Sequence, residues 1–179
     1  EQDPVFFVEH KLLYGLELLN NQNIEELFYL EYINNNEVFS TTKLNIVDEE
    51  SPEITFITYG GMLPYVMEVS KKLFMEEEFV SAIIIPSIIK PIPIQDIIEN
   101  ISNETKYIVI IEESVKYAGW GAELVAQLKE NKISDQKIIT RIGAKEYVIP
   151  SSKPLEEKIL PNTSLIEKTI KEMYFSEYK

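Results

Sequence analysis

Two adjacent carboxylates, Glu112 and Glu113, directly follow an apolar stretch of the sequence at 107–111. Paired carboxylates at the end of a strand can bind a divalent cation or act as general acid and general base. They can also cap a neighbouring turn by accepting backbone N–H bonds, and a turn that contains Gly119 and Gly121 comes next in the chain. No second cluster of acidic residues or histidines converges on the pair along the sequence, so we favour the capping interpretation.

Two consecutive glycines, Gly60 and Gly61, lie between a predicted strand and a predicted helix. Backbone N–H groups in such a turn can approach a phosphate at the start of the helix. The wider G-x-G-x-x-G spacing of dinucleotide sites is missing. A tight turn in which glycine adopts a positive φ is therefore the favoured interpretation.

His10 is the only histidine in the chain, which excludes metal sites with two histidines. Beside Glu9 and Lys11 it could serve as a proton shuttle, but a structural histidine held at the end of a strand is the favoured interpretation. Arg141 is the only arginine. It could hold a carboxylate or phosphate in a bidentate manner, and an ion pair with Glu112 or Glu113 is equally consistent with the sequence.

The elements that must position these residues alternate between strand and helix. Apolar runs predict strands at 54–59, 80–85, 107–111 and 138–142, and helical spacing predicts helices at 63–77, 94–101, 121–132 and 164–175. This alternation predicts an α/β protein, a three-layer α/β/α sandwich around a mostly parallel sheet. Before residue 54 we predict a buried strand at 5–8 and a helix at 16–30, with turns at the asparagine-rich stretches 20–23 and 34–36.

The charge of the chain excludes several classes of function. Its 179 residues contain 30 acidic and 17 basic side chains, a net charge of −13, which argues against binding nucleic acid. No apolar run reaches the roughly 18 residues of a membrane span. The zero cysteine count excludes thiolate chemistry and is consistent with the cytoplasm or an organelle matrix rather than secretion. Nine acidic residues against one lysine lie between Glu17 and Glu53, so we expect a junction segment at 1–53 and a domain at 54–179.

Several segments, taken in order, resemble the β subunits of thiamine-diphosphate-dependent 2-oxoacid dehydrogenases, the E1 component. The sequence at 3–14, DPVFFVEHKLLY, is similar to the junction segment of that family. The sequence at 109–122, VIIEESVKYAGWGA, resembles a stretch of that family with a sequence like VVVEEAPRTGGFGA. Further similarity lies at 54–61, 88–93, 141–143, 148–150, 154–157 and 160–162.

The resemblance implies a transketolase C-terminal-like domain, with a mixed sheet of about five strands between helices. In the family this domain supports subunit assembly and docking of the E2 acyltransferase, so the expected partners are an E1 alpha subunit, a second beta subunit and the E2 binding domain. Thiamine diphosphate and magnesium are expected in the intact enzyme, which decarboxylates a 2-oxoacid and passes the acyl group to a lipoyl arm. We expect this chain to be a piece of such a subunit that binds no cofactor or metal and is not catalytic alone. His10 matches the junction segment and is given no catalytic role.

The likeness fails between Gly15 and about Thr41, where an acidic, asparagine-rich stretch replaces the usual short basic connection. Three alternatives therefore stay open. The chain could be a free-standing interaction module whose acidic arm docks a basic partner, or the C-terminal domain of an enzyme similar to transketolase or deoxyxylulose-phosphate synthase. It could also be an unrelated small-molecule enzyme that uses the Gly60–Gly61 turn and Glu113.

Overall fold

A six-stranded sheet lies at the centre of the computed structural model, which describes residues 4–20, 24–33, 39–46, 51–133 and 137–176. The strands are β1 (Phe28–Tyr32), β2 (Thr42–Ile46), β3 (Ile54–Thr58), β4 (Ser81–Ile85), β5 (Tyr107–Val115) and β6 (Ile138–Ala144). The helices are α1 (Leu63–Glu77), α2 (Ile94–Glu99), α3 (Trp120–Glu130), α4 (Lys153–Glu156) and α5 (Thr163–Ser176). Short 3-10 turns occupy Lys11–Leu13 and Gly60–Met62.

The strand order is β1-β2-β4-β3-β5-β6. Strands β4, β3, β5 and β6 run parallel, whereas β1 and β2 add to the β4 edge in antiparallel orientation. The three inner parallel strands, β3, β4 and β5, are nearly continuous runs of buried, mostly apolar residues, as expected where helices cover both faces of a sheet, whereas β6 at the edge is more exposed. The predicted α/β class and layered architecture are confirmed, with six strands where about five were expected.

Each face of the sheet has its own core. Helices α1 and α5 cover one face, where Val66, Val69 and Leu73 are spaced at helical intervals and pack on Phe56. Helices α2 and α3 cover the other face with Ile97, Leu124 and Leu128. The side chain of Asn162 accepts the backbone N–H of Leu165 at 2.9 Å, which satisfies a free donor at the start of α5. None of the helices in these described ranges is long and apolar enough to cross a bilayer.

Two predictions for the first 50 residues are wrong. The run at 5–8 is not a buried strand, because none of the strands that the structure describes pairs with it and Phe6 and Val8 are 92% and 87% exposed. The described part of 16–30 is not helical. Phe28 and Leu30 are buried while Tyr29 is exposed, so burial alternates from one residue to the next. This alternation is that of a β-strand, and the residues pair with β2. The predicted turn at 34–36 and most of the one at 20–23 lie outside the described residues.

The boundary expected at residue 54 falls between two strands of one sheet. Strand β2 lies before it, and its Leu44 pairs with Ile83 of β4 and is fully buried. The acidic segment thus contributes β1 and β2 to the same core as the later strands.

Candidate functional site

The residues singled out from the sequence meet at the carboxyl edge of the parallel strands β3, β5 and β6. This is the edge at which open α/β sheets place their ligand sites. Strand β3 leads into Gly60 and Gly61, strand β5 carries Glu112 and Glu113, and strand β6 carries Arg141. The N-terminal segment crosses the same edge through His10. The topology therefore brings together residues that are up to 131 positions apart in the chain.

Glu112 is fully buried and its carboxylate is surrounded by donors. Oε1 accepts the backbone N–H of Gly121 at 3.2 Å and lies 3.6 Å from the guanidinium of Arg141. Oε2 accepts the hydroxyl of Ser114 at 2.8 Å. A charged group can be buried only when it is paired and hydrogen-bonded, and these contacts meet that requirement. The contacts are those of a cap on the turn before α3, and they leave Glu112 enclosed rather than presented to a ligand.

Gly119 and Gly121 leave room for the carboxylate of Glu112, because neither has a side chain. A Cβ added at Gly119 would lie 2.6 Å from Glu112 Oε2, and one added at Gly121 would lie 2.8 Å from Oε1. A real Cβ contact does not occur at these distances, and at Gly119 the added Cβ would also lie 2.5 Å from the backbone carbonyl of Val115, so movement of the carboxylate would not be enough to admit it there. Arg141 also donates to the backbone carbonyl of Lys116, which ties β6 to the same turn.

Glu113 points away from this network and contacts the N-terminal segment. Its Oε2 lies 3.3 Å from Nε2 of His10, and its side chain is 38% exposed. The ring of His10 lies directly over Gly61, where an added Cβ would approach Nε2 to 2.5 Å. Gly60 adopts a positive φ of 58°, which is the conformation expected of a tight turn. The space over Gly61 is therefore occupied by a side chain of the protein itself.

Two aromatic residues line the same edge. The rings of Tyr59 and Trp120 meet edge to face with centroids 5.0 Å apart, and the indole N–H of Trp120 donates to the carbonyl of Ile89 at 3.0 Å. These contacts are those of a packing anchor.

Burial raises the pKa of the Tyr59 phenol, and the negative charges of Glu112 and Glu113 raise it further. The phenol is therefore held in its neutral form.

Ser114 is a site residue that the sequence did not single out, in addition to the two aromatic residues. Its signal is its spacing, two positions after Glu112 at the end of a strand, where side chains i and i+2 lie on the same face. In the parts of the chain that the structure describes, no three His, Asp or Glu side chains lie close enough together to hold a metal ion.

The fold and this edge place the chain in a known family. Residues 43–166 match the family described as transketolase, C-terminal domain, and the chain belongs to it. Among solved structures, the chain is similar to a split-gene transketolase described as an inactive beta4 tetramer, with a TM-score of 0.56 and 19% sequence identity over 69% of this chain and 38% of that one. This likeness supports the fold alone.

Among curated proteins, the chain is similar to pyruvate dehydrogenase E1 component beta subunits. It is 27% identical to the mitochondrial subunit of Saccharomyces cerevisiae over 97% of this chain and 45% of that protein. It is 30% identical to the subunit of Staphylococcus aureus over 97% of this chain and 49% of that protein. It is 29% identical to the subunit of Porphyra purpurea over 88% of this chain and 43% of that protein. The chain thus spans about half the length of the curated relatives it matches.

Proposed function

We propose that this chain acts as the C-terminal domain of an E1 beta-type subunit of a 2-oxoacid dehydrogenase. The observation that carries the proposal is the extent of the similarity to the beta subunits of yeast and Staphylococcus aureus, which covers 97% of the chain and so includes the N-terminal segment with His10. The intact enzyme would oxidatively decarboxylate a 2-oxoacid and transfer the acyl group to lipoyl. Its proposed compartment is the cytoplasm or an organelle matrix.

The proposed role of the domain is assembly. In the N-terminal segment, Val5, Phe6, Phe7 and Val8 are 69–92% exposed. Contiguous exposed apolar side chains of this kind mark protein contacts, because burying them in an interface removes them from water. The partners we propose are an E1 alpha subunit, a second beta subunit and the binding domain of an E2 acyltransferase.

We propose that thiamine diphosphate and magnesium bind elsewhere in the assembled enzyme. At the Gly60–Gly61 turn, the ring of His10 already lies against Gly61, where a diphosphate would have to approach the backbone N–H groups at the start of the helix. Glu112 is enclosed by Ser114, Gly121 and Arg141 and offers no free lone pair toward solvent. These two candidate positions do not fit the cofactor, so no catalytic step is assigned to this chain.

Calorimetric titration of the 179-residue chain with thiamine diphosphate and magnesium tests the cofactor part of the proposal. We expect no saturable heat, and tight binding would contradict the proposal. Sedimentation of the chain with an E1 alpha-type subunit and an E2 binding domain from the same organism tests the assembly part. A stable complex is expected with the native chain and a weakened one after Phe6→Asp, whereas Glu130→Lys on the outer surface of α3 serves as the control. Failure of the native chain to bind any of these partners would contradict the assembly role.

A further inference from the structure

A groove lies between the N-terminal segment and helix α1, away from the carboxylate network of Glu112. Its volume is about 1070 Å³. Its apolar lining includes Leu16 and Leu18 from the N-terminal segment and Met67 and Met75 from α1. The volume is at the upper end of the roughly 300–1,000 Å³ that is typical of sites for small molecules, which favours an occupant of peptide size.

The apolar walls of the groove are open to solvent. Leu16, Leu18 and Met75 are 60%, 88% and 70% exposed. Methionine has an unbranched, polarisable side chain that adapts to partners of different shape, and it is common on surfaces that bind amphipathic helices. Exposed leucine and methionine in the lining of one groove therefore provide a surface that a partner's apolar side chains can fill.

The charges around the groove are predominantly negative. Its lining contains four carboxylates against two ammonium groups, a net charge of −2, from Glu17, Glu25, Glu68, Glu76, Lys71 and Lys72. Both lysines are held in ion pairs, Lys71 with Glu25 and Lys72 with Glu167. The pair with Lys71 also offsets the charge of Glu25, so the lining keeps its net charge of −2, and this charge favours a cationic partner.

We propose that this groove binds a basic amphipathic helix of a partner protein. The apolar face of the helix would pack between the N-terminal leucines and the methionines of α1, while its Lys or Arg side chains would pair with carboxylates such as Glu76 on the rim. A helix with side chains is about 10–12 Å wide, which suits an open groove with an apolar lining better than a closed pocket. The proposal rests on the groove itself and does not depend on the enzyme to which the chain belongs.

A labelled synthetic peptide tests the proposal by fluorescence anisotropy with the full chain. The probe is a leucine–lysine amphipathic helix of about five turns, and the comparison peptide replaces every lysine by glutamate in the same apolar pattern. We expect the basic peptide to bind and the acidic one to bind at least about tenfold more weakly, because it would be repelled by the rim. Glu76→Lys and Leu16→Asp should each weaken binding of the basic peptide, by about tenfold for the charge reversal.

Glu130→Lys makes the same charge change on exposed α3, outside the groove, and should leave binding unchanged. Both groove positions are exposed, and circular dichroism with thermal melting verifies that each variant folds like the native chain. Equal binding of the two peptides would overturn the proposal, as would equal loss of binding in Glu76→Lys and Glu130→Lys. Self-association that Leu16→Asp abolishes, in the absence of peptide binding, would assign the groove to a second copy of the chain and would also overturn it.

Discussion

The carboxylate of Glu112 accepts the backbone N–H of Gly121 at 3.2 Å and so joins the end of β5 to the first turn of α3. Arg141 on β6 lies 3.6 Å from the same oxygen. One fully buried side chain therefore connects a central strand, the neighbouring strand and the helix between them. Strands β3, β5 and β6 all end at this edge of the sheet, and the N-terminal segment also contacts it. The network of Glu112 therefore holds in place the edge against which that segment lies.

Replacing Glu112 by alanine should cost about 3 kcal/mol of unfolding free energy, because it leaves buried donors and the Arg141 guanidinium without their acceptor. Urea unfolding measures the loss. Glu113→Ala is the matched control, since its carboxylate is 38% exposed and contacts His10 at the surface. We expect the control to change the free energy by less than about 1 kcal/mol. Similar urea midpoints for the two variants would show that the buried network contributes no more than an exposed pair.

Gly121→Ala should destabilise the chain although alanine is the better helix former. Within a helix the substitution alone would favour folding by about 0.8–1.0 kcal/mol. Here the new Cβ would lie 2.8 Å from Glu112 Oε1 and 3.0 Å from Ile110 Cγ2, and such overpacking typically costs about 1–3 kcal/mol. Thermal unfolding should therefore show a lower midpoint. Gly15→Ala is the control, because no atom of the described residues lies within 4 Å of its added Cβ, and a comparable loss there would refute the steric explanation.

Gly61→Ala should release the N-terminal segment from the sheet edge. The added methyl group would approach His10 Nε2 to 2.5 Å, and the histidine side chain can move away more easily than the backbone turn. We expect faster amide hydrogen exchange in the described residues 4–18, with exchange in α1 unchanged. Since His10→Ala removes the obstructing ring, the effects of the two substitutions should not add in a double-mutant cycle. Additive effects would mean that the ring and the glycine do not interact.

The sequence predicts the parallel half of the fold well, and the reason is physical. Runs such as 107–111 are buried on both faces, so hydrophobicity alone locates them. The antiparallel addition was missed because β1 has only two buried positions, Phe28 and Leu30, and its pairing with β2 joins residues that are 10 to 18 positions apart in the sequence. The exposed run at 5–8 has the composition of a strand, but composition does not supply a hydrogen-bonding partner.

The candidate site also has features that the sequence predicts and features that it does not. That Glu112 or Glu113 caps the glycine turn follows from local order in the sequence, and so does the tight turn at Gly60. Which of the two carboxylates pairs with Arg141 and which with His10 depends on the side to which each residue points. Successive residues of a strand face opposite sides of the sheet, so the pair divides between the core network and the surface contact.

Glu167 on α5 should contribute a pH-dependent part of the stability. Its carboxylate lies 2.7 Å from Lys72 of α1 and 3.0 Å from Lys171, and the hydrogen bonds from these ammonium groups lower its pKa. A lowered pKa in the folded state stabilises the fold fully above the ordinary carboxyl value of 4.5, and the contribution is lost as the pH falls through the folded value. Glu167→Gln should therefore lower the melting midpoint at pH 7, and the difference from the native chain should vanish at acidic pH and shrink in high salt. Glu172→Gln, which removes the exposed pair with Lys168, should change the midpoint less at every pH. A difference for Glu167→Gln that persists at a pH well below the lowered folded-state pKa of Glu167 would mean that packing, and not charge, joins α1 to α5 at this position.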